Sequence, residues 1–276
     1  MDDGPTPEEA FSAFDTTLPF HTNLVEADQR REERTPIEQF LYLGQPKTAA
    51  EFSAYVSSYD FGAQPPDYVI LHQTASPCTM QTLCPQRAVH EPCSSQNPAP
   101  WLWDSDEHDL SEIEIMAKRR SQLERLRDVY CRHFDQQLQR WETCDRGPHL
   151  FIDDRWIWLF TPMRYPGMHA GPGNQYRDER GRLHASIGIQ VIGYYEHQPW
   201  PAPVARLVGH AVAALKQRLD TFELRTVRGP GGVSSHRDWG RPQCPGAAIS
   251  EAFYLDVLRA GWSRLHGAAA DEVGAA

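Results

Sequence analysis

Short runs of apolar, largely β-branched residues recur along the chain and predict buried strands. Such runs cover Asp67 to His72 and Ser186 to Gly193, and Phe222 to Val227 is also predicted to be a strand. His149 to Ile152 and Trp156 to Phe160 are separated by three residues typical of a turn, which predicts a hairpin. The strand pattern is therefore spread over the chain from about residue 67 onward.

Apolar residues at helical spacing predict helices between these strands. Two short segments, Ile37 to Leu43 and Ala49 to Tyr59, precede the first strand. A long amphipathic helix is expected to begin at the capping box Ser111 to Glu114 and to run, in one or two pieces, to about Arg146. Two more are predicted from Val204 to Leu219 and within Pro245 to Trp262.

Strands that alternate with helices predict an α/β fold with a mixed central β-sheet flanked by helices. We divide the chain into an N-terminal arm and helical segment (1–65), a main domain (66–265) and a flexible tail of small residues (266–276). Within the main domain, residues 76–146 form a long, largely helical insertion.

The charge balance narrows the classes of partner. Lys and Arg total 27 and Asp and Glu total 37, which gives a net charge of −10 without a basic cluster. This argues against nucleic acid and anionic membrane as main partners.

No apolar run approaches the roughly 18 residues of a membrane span. The acidic stretch from Met1 to Glu9 does not resemble a signal peptide, so export by another route, action inside the cell and a removed leader all stay open. Nothing in the sequence indicates the oligomeric state.

Six cysteines occur, three of them in the Pro-rich segment from Ser76 to Asp109. No CxxC pair is present, so a structural zinc ribbon is not expected. One or two disulfides and none at all remain open alternatives.

Three segments carry side chains that suit a metal at or near the ends of strands. They are Leu71 to Ala75 (LHQTA), Met168 to Gly171 (MHAG) and His236 to Gly246 (HRDWGRPQCPG). A hydrolytic zinc site needs three protein ligands and one open position, and imidazole and thiolate suit zinc. The residues alone do not decide, because a lone histidine at a strand end is more often structural and twelve histidines make chance triples easy.

In their order along the chain and in their residues, these segments resemble motifs of the type 2 N-acetylmuramoyl-L-alanine amidases, the family that includes the peptidoglycan recognition proteins. The similar motifs are H-x-T-A at His72, H-A-G at His169, S-I-G-I at Ser186 to Ile189, H-R-D at His236, and a cysteine before Pro-Gly, Cys244. The resemblance covers roughly residues 66–262.

The resemblance implies zinc-dependent hydrolysis of the amide between N-acetylmuramic acid and L-alanine, with peptidoglycan or muropeptides as partners. It implies His72, His236 and Cys244 as the Zn²⁺ ligands, and His169 as a residue that contacts a ligand or the substrate. A substrate of this kind also implies an extracellular or cell-wall-facing location.

The sequence departs from the family at positions where members carry catalytic side chains other than the metal ligands. Pro148 stands where some members have tyrosine, Gln190 where others have glutamate, and Pro242 where many have lysine or threonine. We expect Gln190 to orient water or to donate to the oxyanion, and Arg241 to supply the positive donor. The residue that replaces the general base stays open among four candidates: Tyr165, Tyr176, Asp178 and Glu196.

The alternative function is a muropeptide-binding protein with weak or no turnover. Non-catalytic recognition proteins of this family typically lose the cysteine ligand, so the retained Cys244 favours an enzyme. We expect Trp239 and His149 to line the substrate groove, with a purely structural role open for His149. Trp156 and Trp158 are expected to pack in the core.

Overall fold

The structure of the protein, a computed structural model, describes residues 40–74, 107, 109–135 and 140–273. The predicted arm and most of the Cys-rich segment lie outside these residues. The described part contains a seven-stranded mixed sheet and four α-helices, which confirms the predicted α/β class. None of its helices combines the length and the apolar character that crossing a bilayer requires.

Seven strands form the main sheet in the order β1-β6-β5-β8-β2-β9, and β7 pairs with the beginning of β8. The nine strands of the described residues are β1 (Gln45–Lys47), β2 (Tyr68–Gln73), β3 (Arg132–Asp135), β4 (Arg140–Thr143), β5 (Leu150–Ile152), β6 (Ile157–Leu159), β7 (Gln175–Arg177), β8 (Leu183–Val191) and β9 (Val233–Ser235). β5, β8, β2 and β9 are mutually parallel, so their carboxyl ends meet at one edge of the sheet.

The two faces of β2 are used differently. Side chains alternate along a strand, so Tyr68, Ile70 and His72 share one face while Val69 and Leu71 share the other. The face of Val69 and Leu71 belongs to the main hydrophobic core. The face of Tyr68 and Ile70 belongs to a second, smaller apolar cluster. His72 ends the row on this second face, at the carboxyl edge of the sheet.

Three helices of the described chain pack together and contribute to the main core. They are α1 (Ala49–Ser57), α3 (Ala202–Leu219) and α4 (Glu251–Val273). A capping box between Thr48 and Glu51 starts α1. α3 and α4 approach closely where Gly209 meets Gly261. A Cβ on Gly261 would overlap the backbone of Gly209, so this approach requires a residue without a side chain.

The insertion contributes the remaining helix, α2 (Glu112–Tyr130), which is second in chain order. It begins at the predicted capping box of Ser111 and Glu114. Arg119 is fully buried and joins α2 to the turn between β5 and β6. Its guanidinium lies 2.7 Å from Glu107, 3.0 Å from Asp153 and 2.6 Å from Asp154. The insertion is therefore tied to the sheet by a buried ionic contact.

The predicted long helix is wrong beyond Tyr130. β3 and β4 pair as a separate antiparallel ribbon, and the amide of Cys144 donates to the carbonyl of Cys131 at its base. Apolar residues spaced along a paired ribbon can mimic helical spacing, and the pairing itself leaves no periodic signal. The last helix, in contrast, runs on to Val273 and extends into the segment set apart as a tail.

Two further predictions are wrong. Residues 40–43 of the first predicted helix are irregular, since the amides of Leu41 and Leu43 donate to Asp145 and Phe160. Residues 222–227 form no strand beyond the bridge of Thr226 to Val233. The ninth strand instead follows the Gly-rich residues 229–232, in a segment predicted to be a loop.

Candidate functional site

Two histidines and one cysteine meet at the carboxyl edge of the sheet. His72 is the penultimate residue of β2, His236 directly follows β9, and Cys244 lies in the loop behind it. Their ligand atoms all lie within 4.8 Å of one another. Nδ1 of His72 is 3.0 Å from Nδ1 of His236 and 3.9 Å from Sγ of Cys244. The structure thus brings together the three residues predicted as zinc ligands.

The loop that carries Cys244 is fixed by hydrogen bonds of its own backbone. The amide of Cys244 donates to the carbonyl of Arg241, and the amide of Arg237 donates to the carbonyl of Cys244. The amide of Gln73 donates to the sulfur at 3.4 Å. Burial raises the pKa of the Cys244 thiol to about 12, so a bound cation is what would make this sulfur a thiolate.

A directional chain of hydrogen bonds sets the tautomer of His72. The hydroxyl of Ser186 must donate to a carbonyl, since Gly173 O lies at 2.7 Å and Asn174 O at 3.3 Å. Its oxygen therefore accepts from Nε2 of His169, at 3.2 Å. Nδ1 of His169 is then an acceptor, and Nε2 of His72 donates to it at 3.0 Å. Nδ1 of His72 is left as a lone pair that faces His236 and Cys244.

Two of the three separations within this cluster are close to those around a tetrahedral zinc ion. Tetrahedral zinc with ordinary bond lengths separates two imidazole nitrogens by about 3.3 Å, and a nitrogen from a sulfur by about 3.6 Å. The observed distances of 3.0 Å and 3.9 Å are within a few tenths of an ångström of these values. Burial lowers the pKa of His72 well below its usual range and, with the charge of Arg241, lowers that of His236 to about 3. Both rings are therefore neutral, as ligands must be.

Gln190 and Arg241 flank this cluster. Gln190 on β8 is the register partner of His72 on β2, so both side chains project to the same face. Its Nε2 donates to the hydroxyl of Tyr130 at 3.3 Å. Its Oε1 is buried and has no hydrogen-bond partner among the described residues. The amide of Arg241 donates to the carbonyl of His236, which places this residue beside the ligands.

His149 lies beneath the site and is fully buried. Its Nδ1 accepts from the amide of Gly188 at 2.9 Å, and its Nε2 donates to the carbonyl of Tyr165 at 2.9 Å. Burial lowers its pKa to about 4, so the ring is neutral. Both nitrogens are thus used by backbone. This geometry supports the structural role left open above for His149, and its expected substrate contact stays a prediction.

Trp239 is partly exposed on the same face as the ligands. Its ring stacks on Tyr68 with centroids 5.9 Å apart, and the guanidinium of Arg228 lies 4.9 Å above it. Its Nε1 donates to the hydroxyl of Ser234 at 3.0 Å. These contacts hold the ring of Trp239 in place. That Trp239 lines the substrate groove stays a prediction. Trp156 and Trp158 are buried, as expected for packing residues.

The four candidates for the general base lie in different surroundings. The carboxylate of Glu196 accepts from Nε2 of Gln73 and from the amide of Ala247, and its charge raises the pKa of Cys244. Asp178 pairs with His184 near the other end of β8, where the ring of Tyr176 also lies. Tyr165 is 41 % exposed. Glu196 is therefore the carboxylate among them whose charge acts on the ligand cluster.

Two features of the site were missed in the sequence. The alternation of S-I-G-I puts Ser186, Gly188 and Gln190 on one face, which would have pointed to the Ser186 contact with His169. The contact of Gln190 with Tyr130 joins residues 60 positions apart and left no local signal.

Comparison with known proteins identifies the family. The model of the N-acetylmuramoyl-L-alanine amidase family matches residues 62–247, which is more than half of the chain and includes all three clustered residues. Searches of curated proteins and of solved structures found no match. The matched range holds β2, β8 and β9, the strands that position His72, Gln190 and His236. The chain belongs to the type 2 N-acetylmuramoyl-L-alanine amidase family.

Proposed function

We propose that the protein hydrolyses the amide between the lactyl group of N-acetylmuramic acid and the L-alanine of the stem peptide, with a zinc ion held by His72, His236 and Cys244. The cluster of these three side chains, in which His72 and Cys244 are buried and His236 is partly exposed, lies inside the range that matches the family and carries the proposal. The proposed substrate implies that the protein works where it meets peptidoglycan or its fragments.

The reaction divides between the metal and the side chains around it. Zinc at this position would acidify a water molecule and polarise the scissile carbonyl. The Ser186 and His169 chain keeps the lone pair of His72 directed at the site. Arg241 offers positive charge to the developing oxyanion.

Proton transfer requires a group other than Gln190. An uncharged amide cannot take up a proton near neutral pH, so Gln190 orients the attacking water through its buried Oε1. The leaving amine must receive a proton from a titratable side chain. Glu196 suits this task best among the candidates because its charge reaches the ligand cluster.

The test is digestion of purified peptidoglycan by the zinc-loaded protein, with newly exposed L-alanine amino groups as the readout. A chelated sample and Cys244→Ala should release none. Cys144→Ala removes a buried thiol outside the cluster and should keep the activity. Release that survives both chelation and Cys244→Ala would refute the proposal. Bound zinc and muropeptide affinity without release would identify a recognition protein instead.

A further inference from the structure

The insertion reaches the site through the last residue of its helix. α2 ends at Tyr130, and the hydroxyl oxygen of Tyr130 accepts from Nε2 of Gln190 at 3.3 Å. Gln190 stands beside His72 on the site face of the sheet. The insertion, which lies outside the main sheet, therefore contacts a side chain that flanks the cluster of His72, His236 and Cys244.

Tyr130 is held from two sides. Its ring packs edge-on against Phe160, with centroids 5.9 Å apart, and Phe160 in turn packs against Phe151 at 4.8 Å. Further back, the buried ion pairs of Arg119 fix α2 to the turn after β5. The position of the hydroxyl is thus set by ring packing at the end of α2 and by the ion pairs of Arg119 near the middle of α2.

The contact determines what Gln190 can do. The side chain is 5 % exposed, so water does not easily reach both ends of its amide. With Nε2 bonded to Tyr130, Oε1 is the end that remains as an acceptor, and no described residue donates to it. A buried carbonyl oxygen without a donor is costly, and a donor from a bound water or substrate would satisfy it.

We propose that Tyr130 is a positioning residue of the active site, which holds the Gln190 amide so that Oε1 accepts a hydrogen bond from the attacking water. The insertion is on this account part of the active centre. The inference rests on the proposed hydrolysis, because it assigns Tyr130 a task in that reaction.

A double-mutant cycle tests the proposal, with Tyr130→Phe, Gln190→Met and the double variant assayed in the zinc-loaded protein. Tyr130→Phe should lower kcat roughly tenfold with KM within about twofold, because a buried amide donor loses its acceptor. In the Gln190→Met background the same substitution should have no further effect. Tyr254→Phe is the matched control, since Tyr254 is a buried tyrosine of α4 whose hydroxyl bonds Thr226 at the same 3.3 Å. It should leave kcat unchanged.

Additive effects in the cycle, or a Tyr130→Phe variant as fast as the wild type, would overturn the proposal. A zinc-loaded wild type without any release would refute the proposed hydrolysis, and with it the catalytic task of Tyr130. The contact is then judged by the side-chain amide signal of Gln190 in the NMR spectrum. A shift of that signal in Tyr130→Phe supports the positioning contact, and an unchanged signal overturns it.

Discussion

The hydrogen-bond chain behind His72 predicts that His169 controls zinc affinity without being a ligand. His169→Leu removes the acceptor for Nε2–H of His72 while keeping an apolar side chain in the space. The ring of His72 is 1 % exposed, so no water can replace the lost acceptor. His72 must then either leave a buried donor unpaired or move its proton to Nδ1, the atom that faces His236 and Cys244.

Either outcome weakens metal binding. An unpaired buried donor costs about 1–3 kcal/mol, and loss of a partner that orients a ligand typically lowers metal affinity about 10- to 100-fold. We therefore expect the zinc Kd of His169→Leu to rise about 10- to 100-fold, which corresponds to about 1.4–2.7 kcal/mol. Competition with a chromophoric chelator measures it directly.

Two variants make this measurement specific. His169→Asn keeps a polar acceptor near the position of Nδ1 and should recover most of the affinity. His210→Leu removes a histidine that pairs with Ser53 at 2.8 Å between α1 and α3, and should leave zinc binding unchanged. A wild-type Kd for His169→Leu, or equal losses for the leucine and asparagine variants, would refute the role given to the hydrogen-bond chain.

Two predictions concern the fold around the site. Gly261→Ala should lower the free energy of unfolding by about 1–3 kcal/mol in a denaturant titration, because the added methyl group overlaps the backbone of Gly209, and an unchanged midpoint would contradict this close approach. Burial lowers the pKa of His184, but hydrogen bonds and charges from Asp67 and Asp178 outweigh it and raise the pKa overall. The stabilisation is then complete below the unfolded pKa of about 6.5 and is lost as pH rises through the folded value. His184→Gln should accordingly destabilise the protein more at about pH 5.5 than at about pH 9, and an equal loss at both would refute the assignment.

The sequence predicted those parts of the fold that local chemistry specifies. The β-branched run before His72 and the S-I-G-I run both form central strands, and the Ser111 capping box starts α2. The proximity of His72, His236 and Cys244 could be predicted because strand ends and a short loop bring these residues together. The order of the motifs along the chain indicated the family, which no single histidine could indicate.

The parts that failed depend on contacts between distant segments. The ribbon of β3 and β4 is defined by pairing across its turn, and β9 by pairing with β2 from more than 160 positions away. The role of His149 was ambiguous for the same reason, because only the fold brings Gly188 and Tyr165 to its two nitrogens. Tyr130 falls within the predicted helix, and its contact with Gln190 exists only in the folded chain.

The most direct test of the central claim is mass spectrometry of muropeptides digested in isotopically labelled water. The account predicts a free stem peptide that begins with L-alanine, and a glycan whose lactyl carboxyl group carries the label. Both products should require zinc and disappear in Cys244→Ala. Label at a sugar reducing end, cleavage elsewhere in the peptide, or no product from the zinc-loaded protein would contradict it.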